Sequence, residues 1–182
     1  MISKLLVPSV CVMAALFCSA QPVAAQAKFQ PSSVALSTSE LGSFPFVKVP
    51  QGFVARNGKT LKFEEKYIYA GGQVLPVSGR YHHARIFADG GEWAETLLLS
   101  QIESQVKALG GVRVFDGGIP DAGRKLIDEN APRFVKDLYD PWPYRFRQYL
   151  IRQEDKLVWI ELGYGYNAEM IDLTVVQEDI RK

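Results

Sequence analysis

Residues 93–115 read WAETLLLSQIESQVKALGGVRVF, and the spacing inside this stretch sets the fold class. Leu98, Ile102, Val106 and Leu109 recur at intervals of four, four and three, which puts them on one face of a helix. Leu97 and Leu99 widen the apolar side at its start, while Gln101, Glu103, Ser104 and Lys107 fall on the wet side. Gly110-Gly111 ends a helix cheaply, and Lys107 in the last turn suits the negative end of the macrodipole. Val112 to Phe115 then reads as a short buried strand, broken by Asp116-Gly117-Gly118.

Around this helix the chain reads mostly as strands. Phe53–Arg56 and Thr60–Phe63 flank Asn57-Gly58, the strongest short hairpin signal present. Phe63, Tyr67 and Tyr69 share a parity in a strand that stops at Gly71-Gly72. Val74–Val77 and Arg80–Phe87 read as one bent or two short strands, Pro76 marking an edge or bulge and Ser78-Gly79 a turn. A second helical region covers Lys125–Ile127 and then, from a cap at Asn130, Phe134 to Tyr139; Asp140-Pro141-Trp142-Pro143 ends it. Tyr144–Arg152, Leu157–Leu162 and Ile171–Val175 read as three strands, the middle one apolar on both parities as a doubly covered strand should be. The expected order is β-β-β-α-β-α-β-β-β. The expected fold is α+β, a mainly antiparallel sheet covered on one face by two helical segments.

The first 25 residues read as a signal peptide: Lys4, an apolar run from Leu5 to Ala20, then small residues in Val23-Ala24-Ala25. Residues 26–40 read as a flexible lead-in and 41–182 as a single α+β domain, with no transmembrane segment once the leader is removed. Cys11 and Cys18 both fall in the leader, so the expected mature chain has no disulfide, thiol nucleophile or thiolate metal site. Without Lys4 its 20 basic residues balance 20 acidic ones, which argues against a general attraction to nucleic acid or anionic lipid. Such a chain is long enough for one domain with a sizeable core.

Catalytic motifs are missing. There is no Gly-x-Ser-x-Gly elbow, phosphate loop or GxGxxG, and no HExxH; no cofactor and no metal is expected. His82 and His83 are adjacent, so on a strand they point to opposite faces and do not share a ligand. Binding is better represented. Trp142 sits in a proline-stiffened loop beside Tyr144, and Arg145 and Arg147 share a strand face, set to meet a carboxylate or to keep an edge strand soluble. Tyr164 and Tyr166 lie in a glycine-flanked bend. These six residues are the candidate contact set.

The runs LGSFPFVKVPQGF, FEEKYIYAGG, ALGGVRVFDGGIP and YLIRQEDKLVWIELGYGYNAEMIDLTVVQ resemble the N-terminal domain found ahead of the OmpA-like peptidoglycan-binding domain in some Gram-negative envelope proteins. The resemblance covers most of residues 41–182 and carries no catalytic motif. OmpA-like domains hold peptidoglycan through an Asp and an Arg in a helix-loop setting that the residues after Val176 are not expected to supply, so that activity is not carried over. The resemblance implies a stand-alone periplasmic accessory domain. The expectation is a non-catalytic domain acting through a periplasmic or outer-membrane protein partner, as an envelope accessory or as an inhibitor or immunity protein against a secreted toxin. The alternatives are a peptidoglycan-fragment binder using Trp142 and the tyrosines, and an envelope hydrolase using His82 or His83.

Overall fold

The computed structural model describes residues 28–131 and 143–180. Its strands are β1 Phe53–Ala70, β2 Gln73–Ala88, β3 Val112–Gly117, β4 Arg145–Arg152, β5 Lys156–Tyr164 and β6 Ile171–Asp179. They form one antiparallel sheet in the order β1-β2-β6-β5-β4-β3. Two helices, α1 Glu95–Ala108 and α2 Asp121–Asn130, complete an α+β fold. Among the described residues no helix is long and apolar enough to cross a membrane.

Helix α1 follows its sequence period. Leu98, Ile102 and Val106 are fully buried and pack with Tyr149, Ile151, Val158, Ile160, Leu162 and Leu173 on one side of the sheet. Leu99 joins them, but Leu97 is 51% exposed, so the apolar side widens in one direction only. The helix ends as its glycines predict: the Gly110 and Gly111 N–H groups donate to the Lys107 and Val106 carbonyls.

Strand β5 is buried along most of its length between β4 and β6, as its apolar run requires. Strand β3 is not the buried strand expected. It ends the sheet, pairs with β4, and leaves Val112 39% exposed. Strand β4 is accordingly interior, so Arg145 and Arg147 do not guard an edge.

The largest departure lies in β1. Asn57-Gly58 does not turn the chain; β1 runs through it as a bulge between Arg56 and Lys59, with Asn57 at φ 55°. The turn comes at Gly71-Gly72, both at positive φ. The three expected strands before α1 are therefore two long ones. Strand β2 continues through Ser78-Gly79, where a turn was expected. It pairs with β6 only from Arg80 onward, so beyond Gly79 the β1–β2 hairpin is a free two-stranded arm. Pro76 lies on this arm, where β2 has a partner on one side only.

The arm folds back over the side of the sheet opposite α1. A second slip in β1, between Leu61 and Glu64, stands opposite Gly79 and Tyr81 and marks the bend. A Cβ on Gly79 would lie 1.9 Å from the Gln177 carbonyl oxygen, so only glycine fits there. Beyond the bend, Ile68, Ala70 and Val77 pack on Leu150, Trp159 and Val176. The Tyr69 and Phe115 rings meet edge to face at 4.8 Å, joining the first and last strands of the sheet order. Ile127 of α2 packs with Phe146, whose strand parity is opposite to that of Tyr149. These contacts place α1 on one face and Ile127 with the other, rather than both helices on a shared face. The expected helical stretch 134–139 lies outside the described residues.

The lead-in is not loose from residue 29 onward. Phe29 packs edge to face on Trp159 and fills the space beside Gly71, while Gln73 Nε2 donates to its carbonyl. After a short turn, Pro31–Ser33, the Arg152 guanidinium donates to the Ser32 and Val34 carbonyls. Leu36 bridges to Arg152, and the Ser37 hydroxyl donates to the Leu109 carbonyl at the end of α1. This segment is a strap from the arm to the helix.

Candidate functional site

Three of the six candidate residues converge. Arg145 and Arg147 share a face of β4, and Tyr164 lies opposite Arg145 on β5. All three turn to Asp116 at the end of β3. Tyr164 OH donates to Asp116 Oδ1 at 2.9 Å, Arg147 Nε lies 3.2 Å from Oδ2, and Arg145 reaches Oδ1 at 3.5 Å. Arg113 adds a bond to Asp116 at 2.9 Å.

Glu103 of α1 completes the cluster, with Arg147 at 3.4 Å, Arg113 at 3.6 Å and the Tyr149 hydroxyl at 3.3 Å. Its side chain is not on the wet side of the helix. Lys107, one turn on, holds its carboxyl below the ordinary range. The carboxylate that Arg147 was set to meet is therefore intramolecular. The cluster clamps α1 to β3, β4 and β5.

Tyr166 goes elsewhere. It lies over Gly163 on the opposite face, and its hydroxyl donates to Asp172 Oδ2. Tyr144 is 59% exposed and Arg145 nearly as much, side by side at the start of β4. Trp142 lies outside the described residues.

Beneath the arm is a set of polar residues that the sequence reading did not single out. Gln148, Glu161, Thr174 and His83 are register partners across β4, β5, β6 and β2, forming one polar row across the sheet. All four are buried. The arm lowers Lys66 onto this row, with Nζ 2.9 Å from Glu161 Oε1, and Gln148 Nε2 donates to Glu161 Oε2 at 2.6 Å. Burial lowers the Lys66 pKa, and the neighbouring Glu161 carboxylate offsets part of that.

At the other end of the row, His83 Nε2 lies 3.4 Å from Asp172 Oδ1, and His83 Nδ1 3.2 Å from Thr174 Oγ1. Arg85 Nε also reaches Asp172 Oδ1 at 3.3 Å. Burial, with the charges of Lys66 and Arg85, pushes the His83 ring down to about 3. The imidazole is therefore neutral. Its Nδ1 is paired with the Thr174 hydroxyl, and its Nε2 faces the Asp172 carboxylate. Burial raises the Asp172 carboxyl, against the hydrogen bond from Tyr166 and the charge of Arg85.

Hydroxyl, imidazole and carboxylate in sequence have the connectivity of a hydrolytic triad. Here all three residues are 3% exposed, beneath an arm packed on Trp159. A hydroxyl in that position has no open face from which to meet a substrate. His82, on the other face, bonds the Thr60 hydroxyl at 2.8 Å and stacks edge-on to Phe44, far from any such partner set. Among the described residues no group of three His, Cys, Asp or Glu side chains could hold a metal ion.

One sign of the row was available in sequence: Glu161 interrupts the apolar run of β5. Asp172 and Thr174 alternate with Ile171, Leu173 and Val175, the pattern of a strand wet on one side, so nothing in it announced the cover. No protein-family model matches the sequence, and no curated protein matches it.

Proposed function

We propose that this chain is a non-catalytic binding domain of the bacterial periplasm that acts by holding a protein partner, as an envelope accessory or an inhibitor. The observation that carries the reading is a split in exposure. One set of groups capable of proton transfer or nucleophilic attack, Thr174, His83, Asp172, Lys66 and Glu161, is buried. The candidate contact residues that reach solvent are Tyr144 and Arg145, an aromatic and a guanidinium side by side. Such pairs are frequent energetic centres of protein interfaces. The leader-like first 25 residues and the resemblance to an envelope domain support the compartment.

The test is capture from an envelope extract by the purified protein, with isolated sacculi in parallel. A stoichiometric protein partner is expected, and Tyr144→Ala with Arg145→Ala weakens its capture by about ten-fold. Retention by sacculi with no protein partner replaces this reading with glycan binding. Hydrolysis of an envelope substrate that His83→Gln abolishes, in a variant that still folds, replaces it with an enzyme.

A further inference from the structure

Asn57-Gly58 carries the residue pair of a hairpin turn but lies inside strand β1. The pair also has a chemistry that neither role uses. An asparagine holds an amide carbonyl carbon within a few bonds of the next main-chain nitrogen, and it is among the thermolabile side chains. The chain has three asparagines, Asn57, Asn130 and Asn167. Asn130 and Asn167 are each followed by alanine, whose Cβ crowds the nitrogen that would attack; Asn57 is followed by glycine, which has none.

The surroundings separate the three further. Asn130 Nδ2 donates to the Leu126 carbonyl at 2.7 Å, which ties its amide to the end of α2. Asn57 and Gly58 are both exposed, and among the described residues no hydrogen bond holds the Asn57 side chain. The space beside Gly58 is open: a Cβ there would find its nearest atoms, on Ala84 and His82, at 4.0 Å. A ring closing at this point displaces no packed side chain.

A regular ladder would hold the backbone against such a reaction, and here the ladder slips. Arg56 pairs with Arg85 and the next pair is Lys59 with His83, so Asn57 and Gly58 together stand opposite Ala84 alone. Asn57 is at φ 55°, already outside strand geometry. The pairs on either side bracket the slip. One more main-chain atom between them falls where the register is already interrupted.

We propose that Asn57 is a self-modification site, which deamidates through the Gly58 backbone nitrogen, and that the β1 bulge absorbs the product. The Gly58 nitrogen gives its proton to hydroxide and bonds to the Asn57 side-chain carbonyl carbon. The bond from that carbon to the amide nitrogen breaks, and the nitrogen leaves as ammonia with a proton from water. Water then opens the cyclic imide. Opening at the side-chain carbonyl gives aspartate; opening at the main-chain carbonyl gives isoaspartate, whose chain runs through the former side chain. The sum is one water consumed and one ammonia released, with nothing oxidised or reduced. The site is independent of the Tyr144–Arg145 surface.

The test is peptide mass spectrometry of the purified protein after long incubation at mildly alkaline pH in heavy-oxygen water. The peptide that holds residue 57 is expected to exchange its amide for an acid carrying solvent oxygen, as two separable species, isoaspartate and aspartate. Asn130 and Asn167 are expected to remain amides over the same time. Gly58→Ala slows the conversion by about ten-fold, because its Cβ crowds the attacking nitrogen. Conversion in the folded protein runs within about ten-fold of the rate in urea, since the slip leaves the backbone free to move. The converted protein, separated by its added charge, keeps its thermal midpoint to within about 3 °C. The site is overturned if Asn57 stays an amide or converts no faster than Asn130 or Asn167. It is overturned equally by aspartate without isoaspartate, by a rate untouched in Gly58→Ala, or by protection in the fold beyond that ten-fold. A converted protein that melts well below its parent overturns the part given to the bulge.

Discussion

Lys66 Nζ and Glu161 Oε1 stand 2.9 Å apart, although their strands β1 and β5 are separated in the sheet by β2 and β6. The pair exists because the arm folds over, and it is the polar contact that pins the arm at the centre of the row. Both side chains are almost wholly removed from water. A buried ion pair is weak as a source of net stability but costly to break on one side, because the remaining charge keeps its desolvation penalty.

Lys66→Met leaves Glu161 charged and buried, and should cost about 3–5 kcal/mol in urea unfolding. Adding Glu161→Gln keeps an acceptor for Gln148 and removes the stranded charge. The double variant should recover most of the loss. If it is as unstable as the single one, the lysine acts through packing rather than through charge.

The His83 ring binds its proton only near pH 3 in the fold, against about 6.5 in an unfolded chain. Between those values the unfolded state holds more protons, so stability falls as pH drops through this window. The slope reaches up to ~1.4 kcal/mol per pH unit. Asp172 works the other way: its raised pKa adds stability in acid that is lost as pH rises through the folded value. His83→Gln removes the first contribution and should flatten or reverse the fall between pH 6.5 and the acid limit, read as denaturation midpoints. An unchanged slope would place the proton elsewhere.

Gly79→Ala puts a methyl group 1.9 Å from the Gln177 carbonyl oxygen, against backbone that has no flexible end to move aside. A loss of about 2–4 kcal/mol is expected. Gly58→Ala is the control, since its Cβ would find its nearest neighbours at 4.0 Å. It should change the melting midpoint by much less.

Ile102 on the inner face of α1 is fully buried, whereas Leu97, five residues earlier, is half exposed. Ile102→Ala should cost about 2–5 kcal/mol through lost burial and the cavity left behind. Leu97→Ala should cost less than ~0.5 kcal/mol. Equal losses would mean that α1 seats on the sheet in a different rotation.

What the sequence disclosed depended on how local the cause was. The Leu98–Ile102–Val106 stripe of α1, its glycine stop and the doubly buried β5 follow from neighbours within a few residues and appear as read, whereas Leu97 and Glu103 do not. Asn57-Gly58 failed because the same positive φ serves a hairpin turn or a bulge, and the pairing of β1 with β2 on both sides of it chooses the bulge. The shared face of Arg145 and Arg147 was legible. Their partner was not, because Asp116 reaches them through the pairing of β3 with β4. The polar row was least legible of all: Thr174 and His83 are 91 residues apart, and the arm above them hides what an alternating strand normally shows to water.

The sheet order has a consequence for when the molecule can exist at all. Strand β6 is the last of the described strands, yet it stands in the middle, with β2 on one side and β5 on the other. Until its nine residues arrive, no strand pairing joins the hairpin to the β3–β4–β5 sheet. The strap cannot close early either, because Arg152 and Leu109, which fasten it, come more than 70 residues later. Such a chain has its decisive pairings at long range and gains them late and together.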